Sequence, residues 1–174
     1  MDSSTEQKRA CNTEYRDNID LLMRIPLFSV MPPEAIRVLA CLSADEPFLA
    51  GDNIFVQDEI DEHAYYIMEG EAELLLLTKT GEDKLRSYFQ GDFIGGFSLL
   101  STVKRLFTLR AKTDVRCLVI STECFQKTLA QFPEIAREIL GEMTASVHRW
   151  EHSLLHGHGR LCPECKRGVG VTLL

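Results

Sequence analysis

The hydrophobic period changes twice along this chain, and that change limits the folds open to it. Up to about Leu42, apolar residues recur at helical spacing. From Pro47 to Ile120 they form short runs, broken by turn residues at roughly ten-residue intervals. After Ser121 the helical spacing returns. About eight short strands between helical ends point to a mainly β domain with flanking α: a double-stranded β-helix (jelly roll) with N-terminal helices and a long C-terminal helix.

The helices carry their own boundary signals. Ile19, Leu22 and Met23 share one side of a first helix starting at Glu14. Pro26 stops it, because the residue before a proline is pushed out of the helical region. Pro32-Pro33 opens a second helix whose inner face is Ile36, Leu39 and Ala40. Ser121-Thr-Glu-Cys reads as a serine cap with an acid in the first turn of a helix reaching Gln131. A longer helix from Pro133 to Leu155 carries a seam of Ile135, Ile139, Met143, Val147, Trp150 and Leu154. That narrow seam can pack on its own domain or on a second copy of itself, and a parallel homodimer through this helix is the expectation. The expected layout is a flexible N-terminus over 1–13, a jelly-roll domain with its N-terminal helices over 14–132, a dimerisation helix over 133–155 and a Cys/His-containing tail over 156–174.

Composition narrows the function classes. At 45% hydrophobic and 26% charged residues, the chain can build a full core. A formal net charge of -7, with no basic block, lacks the footprint by which proteins grip DNA phosphates. Only about twenty residues follow Leu154, too few for a helix-turn-helix, so no direct DNA binding is expected. No apolar run reaches the roughly 18 residues of a membrane span, and the N-terminus lacks the apolar centre of a signal peptide. We therefore expect a cytoplasmic protein without a membrane partner. Cys41 and Cys117 sit in apolar runs and read as reduced, packed thiols. His63 is the one histidine before His148, and no nucleophile–base pair stands out, so the chain is not expected to be an enzyme.

The chemistry concentrates between Gly91 and Thr113. The segment reads as a short strand, a glycine corner at Gly95-Gly96, a helical turn through Phe97 and Ser98, then Arg105-Leu106 and another strand. A glycine corner lets backbone N–H groups approach a ligand closely. A helix start offers unpaired donors, and an arginine offers a two-pronged fork for phosphate. The same residues allow a plainer reading. Gly95-Gly96 would then be only a tight corner, and Arg105, beside Lys104, a solvated surface residue.

Several phrases, in order, resemble the sensor half of the catabolite-activator/FNR-like regulators, members of the cyclic-nucleotide-binding-domain family. They are Leu21-Leu-Met-Arg-Ile-Pro-Leu-Phe, Ala64-Tyr-Tyr-Ile-Met-Glu-Gly-Glu-Ala-Glu-Leu, Gly91-Asp-Phe-Ile-Gly and Arg110-Ala-Lys-Thr. The resemblance implies that Gly95, Gly96, Phe97, Ser98, Arg105 and Leu106 line a cassette for a cyclic nucleotide or other small anion. In that family a glutamate that holds the ribose stands where this chain has Gly96. A small residue or hydroxyl stands where it has Leu106. The phosphate anchor is thus kept at Arg105 and the ribose anchor lost. That loss is worth about 1.5–3 kcal/mol, one to two orders of magnitude in affinity.

The tail holds a separate cluster. Cys162-Pro-Glu-Cys165 is half of a tetrahedral zinc site, which His156 and His158 could complete within one chain. A second chain's thiolates could also complete it, and a plain polar tail or a redox pair are alternatives. Together these features predict a regulatory sensor domain. It would bind a small anionic effector in the jelly roll and signal through the long helix by differential affinity for two arrangements. The alternative is a ligand-independent dimeric interaction or scaffold protein with a degenerate pocket.

Overall fold

The computed structural model describes residues 15–156, except for the side chains of 150, 151 and 153–156. Helix α1 (15–24) and helix α2 (Pro33–Leu42) precede eight strands. These are β1 (Ala44–Phe48), β2 (Asn53–Phe55), β3 (His63–Glu69), β4 (Glu71–Thr78), β5 (Gly81–Phe89), β6 (Phe93–Ile94), β7 (Thr108–Ala111) and β8 (Val115–Ser121). A 3-10 turn, Gly96–Leu99, lies between β6 and β7. Helix α3 (Thr122–Gln131), a short 3-10 turn and helix α4 (Ala136–His156) complete the described residues.

Two antiparallel sheets, ordered β1-β8-β3-β6 and β2-β7-β4-β5, make the jelly roll. β3 and β8 read as continuous apolar runs because both of their faces are buried. Tyr65, Ile67, Cys117 and Val119 point between the sheets. Ala64, Tyr66, Met68, Leu118 and Ile120 point outward, against the helices. This second core holds Leu22, Phe28, Ile36, Leu39 and Phe125, with Phe28 edge-on to Phe93 at 5.5 Å. The β6 strand that leads into the cassette is thereby packed against the N-terminal turn. Ser121 caps α3 as expected, its hydroxyl accepting from the Cys124 N–H.

Three expectations change. Met23 is exposed, its place on the inner side of α1 taken by Ile25 just beyond the helix. Cys41 is exposed and Cys117 fully buried, because α2 turns Leu39 and Ala40 inward and carries Cys41 away. The last helix starts at Ala136, after a 3-10 turn over Pro133–Ile135, and its seam goes partly to its own domain: Ile135 in that turn and Ile139 and Met143 in α4 are buried in the core shared with the N-terminal helices. Val147 is half-buried, and the side chains of Trp150 and Leu154 lie outside the described set.

Candidate ligand site

Arg105 stands at the centre of the site, and the surface position it could have held is overturned. It is 8% exposed. The connection between β2 and β3 fixes its backbone from both directions. The Asp58 N–H donates to the Arg105 carbonyl (2.8 Å), and the Arg105 N–H donates to the Glu59 carbonyl (2.9 Å). Asp58 takes a left-handed φ of 65° to do so, a conformation aspartate tolerates better than most residues. The guanidinium lies over the Phe55 ring, 4.2 Å from its centroid, a cation–π arrangement in a dry setting.

Its polar edge is engaged by the same connection. Arg105 Nε and Nη2 both donate to Asp61 Oδ2, at 3.0 and 2.7 Å, and Nη2 also donates to the His63 carbonyl. His63 Nδ1 lies 2.7 Å from Asp61 Oδ1, and the Tyr65 hydroxyl donates to the same carboxylate at 3.2–3.3 Å. Burial, and then the adjacent Asp61 charge, hold the Tyr65 hydroxyl well above its usual pKa, so it stays a donor. Asp61 is therefore a hub for three side chains. Among the described residues Arg105 Nη1 makes no hydrogen bond.

Gly95 brings the cassette against this guanidinium. Its φ is +89°, and a Cβ there would fall 2.9 Å from Arg105 Nη1, Arg105 Nη2 and the His63 oxygen. Both the conformation and the close approach require glycine. The following turn is closed by Ser98 N–H donating to the Gly95 carbonyl (2.9 Å), which leaves the Gly96 and Phe97 N–H groups without a partner in the turn. Ser98 is buried, its carbonyl accepts from the Thr122 hydroxyl at 2.6 Å, and its own hydroxyl has no partner among the described residues. A buried orphan hydroxyl is the kind of group a ligand or ordered water satisfies.

A cleft of about 530 Å³ opens beside these groups. Gly95, Phe97, Ser98, Arg105 and Leu106 line it, with Leu74 and Tyr88 from the sheet. Leu106 and Phe97 are 72% and 58% exposed at its rim. Gly96 does not line this cleft. A Cβ there would meet Phe93 at 3.2 Å and Leu27 at 3.5 Å, on the opposite side of the turn. The structure thus brings together five of the six expected cassette residues and turns the sixth away.

The family model of the cyclic nucleotide-binding domain matches residues 45–132. The chain belongs to this family. The cAMP-dependent protein kinase regulatory subunit of Blastocladiella emersonii is 28% identical over 115 residues, 66% of this chain and 28% of that protein. A cyclic nucleotide-binding-like protein from Brucella abortus is 26% identical, with a TM-score of 0.62 over 66% of this chain and 98% of that one. The N-terminal domain of a transcriptional regulator from Streptomyces coelicolor is 25% identical, with a TM-score of 0.69 over 77% and 94% of the two chains. This cyclic nucleotide-binding domain spans 15% to 31% of the length of the curated relatives it matches.

Asp61, His63, Tyr65 and Phe55 escaped the sequence reading. The acid-rich run Asp58-Glu-Ile-Asp-Glu62 was the available signal, but nothing local ties it to position 105, 44 residues later than Asp61. Of the zinc candidates, His158, Cys162 and Cys165 lie outside the described residues, as does the side chain of His156. Among the described residues no cluster of His, Cys, Asp or Glu is arranged to hold a metal, and no helix is long and apolar enough to cross a membrane.

Proposed function

We propose that this domain is a regulatory sensor that takes a small anionic effector in the Arg105 cleft and transmits its occupancy to α4. The observation that carries the proposal is the half-engaged guanidinium. Asp61 and His63 hold one edge of Arg105, while Nη1 is left beside Gly95, in a cleft that Ser98 also lines. An anion placed there would meet a charge-assisted donor and the open N–H groups of the turn. The anionic end of a cyclic nucleotide fits these groups. Its sugar end does not, because Gly96 offers no carboxylate and points toward Phe93 and Leu27, while Leu106 places apolar bulk at the rim. The effector class that suits the cleft best is an anion with an apolar or aromatic body, and a plain cyclic nucleotide would bind weakly.

Calorimetric titration with cyclic AMP, cyclic GMP and cyclic dinucleotides tests this reading. Binding should disappear in the double variant Asp61→Asn/Arg105→Gln, which removes both charges together and leaves neither buried alone. Binding that survives the double change would remove Arg105 from the site. A second reading has its own support: the Asp61–Arg105 pair is already neutral, which suits a ligand-independent interaction domain. Under it, no anion would bind at all.

A further inference from the structure

We propose that a second ligand cleft lies on the other side of the cassette turn, between that turn and α4, and that it takes a small organic anion with a flat apolar body. The space is about 450 Å³ and is walled by three separate parts of the chain. The end of α1 and the turn after it give Arg24 and Leu27, the cassette gives Phe93 and Gly96, and α4 gives Met143 and Arg149. Gly96 is what keeps it open. Any side chain there would start 3.2 Å from Phe93 and 3.5 Å from Leu27 and would grow into the cleft. The glycine that withholds a carboxylate from the Arg105 cleft therefore adds volume to this one.

Charge decides the ligand class. Two guanidinium groups and two carboxylates line the cleft. Glu142 accepts from Arg149 at 2.6 Å. Asp92 accepts from the Phe89 N–H at 2.8 Å and lies 3.9 Å from Arg86, outside the lining. Among the described residues Arg24 has no hydrogen-bond or ion-pair partner, so its charge is the uncompensated one. Apolar Phe93, Leu27 and Met143 beside a free guanidinium suit an aromatic sulfonate, carboxylate or phosphate. A ligand there would touch the cassette and α4 at once. It could bias α4 without touching Arg105 or Leu106, although Tyr88, Ile94, Gly95 and Phe97 wall both clefts.

The probe is 8-anilinonaphthalene-1-sulfonate, followed by fluorescence on the full chain carrying Asp61→Asn/Arg105→Gln, which denies the Arg105 cleft its anion anchor. Saturable binding is expected, weakened about tenfold in Arg24→Gln. It should be abolished in Gly96→Leu, and equally in Ser146→Phe, where Ser146 lines the α4 wall of the cleft, should the glycine variant fold poorly. Leu106→Asp, at the rim of the other cleft, should leave it unchanged. Absence of saturable binding would overturn the proposal. So would a loss seen in Leu106→Asp, or parent-like affinity in Arg24→Gln, Gly96→Leu and Ser146→Phe.

Discussion

Replacing Asp61 by Asn should loosen the fold and tighten anion binding at the same time. In the native site the carboxylate accepts from Arg105 Nε and Nη2, His63 Nδ1 and the Tyr65 hydroxyl. An asparagine can keep its oxygen toward Arg105 and aim its amide at His63 Nδ1 or the tyrosine oxygen, both of which can accept. The change therefore removes charge with little change of shape. Arg105 would lose its counterion but keep the His63 carbonyl and the Phe55 ring. Breaking a buried pair on one side costs about 3 kcal/mol, which for a chain of this size lowers Tm by roughly 6–12 °C. The opposite effect falls on a bound anion. At roughly 6 Å across the guanidinium and an effective dielectric of about 20, its repulsion from Asp61 is about 3 kcal/mol. Allowing for screening, affinity should rise by about ten- to a hundredfold. Scanning calorimetry gives the first quantity, and titration with cyclic AMP and inorganic phosphate gives the second. A variant that is less stable but binds no more tightly would refute the idea that Asp61 competes with ligand for Arg105.

Other consequences follow from the same geometry. Gly95→Ala, forced into a left-handed φ and against the guanidinium, should lose at least about 2 kcal/mol by urea unfolding; an unchanged midpoint would mean that Arg105 can withdraw freely. Ile139→Ala should cost about 2–5 kcal/mol independently of protein concentration, since Ile139 is buried in its own domain. A loss that varies with concentration would place it at a subunit contact instead. Burial, then the nearby Glu46 and Asp45 charges, push the Cys117 thiol up from an ordinary 9.0 to about 12. The unfolded thiol ionises first, so this contribution is complete below about pH 9 and is lost as pH climbs toward 12, by up to about 1.4 kcal/mol per unit. Tyr65, also raised, adds a loss of the same sign at higher pH. Urea midpoints should fall steadily above pH 9, and less so in Cys117→Ala; a flat profile would contradict the burial argument.

Most of the architecture could be read in local pattern, because local physics sets it. The Ser121 cap, the prolines that bound α1 and α2, and the apolar runs of β3 and β8 each depend on neighbours a few residues away. Side-chain allegiance was harder. Cys41 sits among apolar residues, yet the turn of α2 carries it outward. The seam of α4 reads as one stripe, but Ile139 and Met143 are buried in a core that also draws on α1 and α2 at the start of the chain. At the site, the glycine corner and Arg105 were legible by spacing. The burial of Arg105 was not, since Asp61 reaches it from a different strand connection. Nor could spacing reveal that Gly96 faces Phe93 and Leu27, because that direction is fixed by the packing of β6 against the N-terminal turn.

The most direct test is a ¹H–¹⁵N spectrum that resolves the Arg105 Nε–H and the Gly95 and Ser98 amides while cyclic AMP, cyclic GMP and cyclic dinucleotides are titrated in turn. The sensor reading expects saturable shifts at all three signals with at least one anion, followed by shifts along α4. Signals that stay fixed with every anion up to millimolar concentration, in a folded protein, would contradict it.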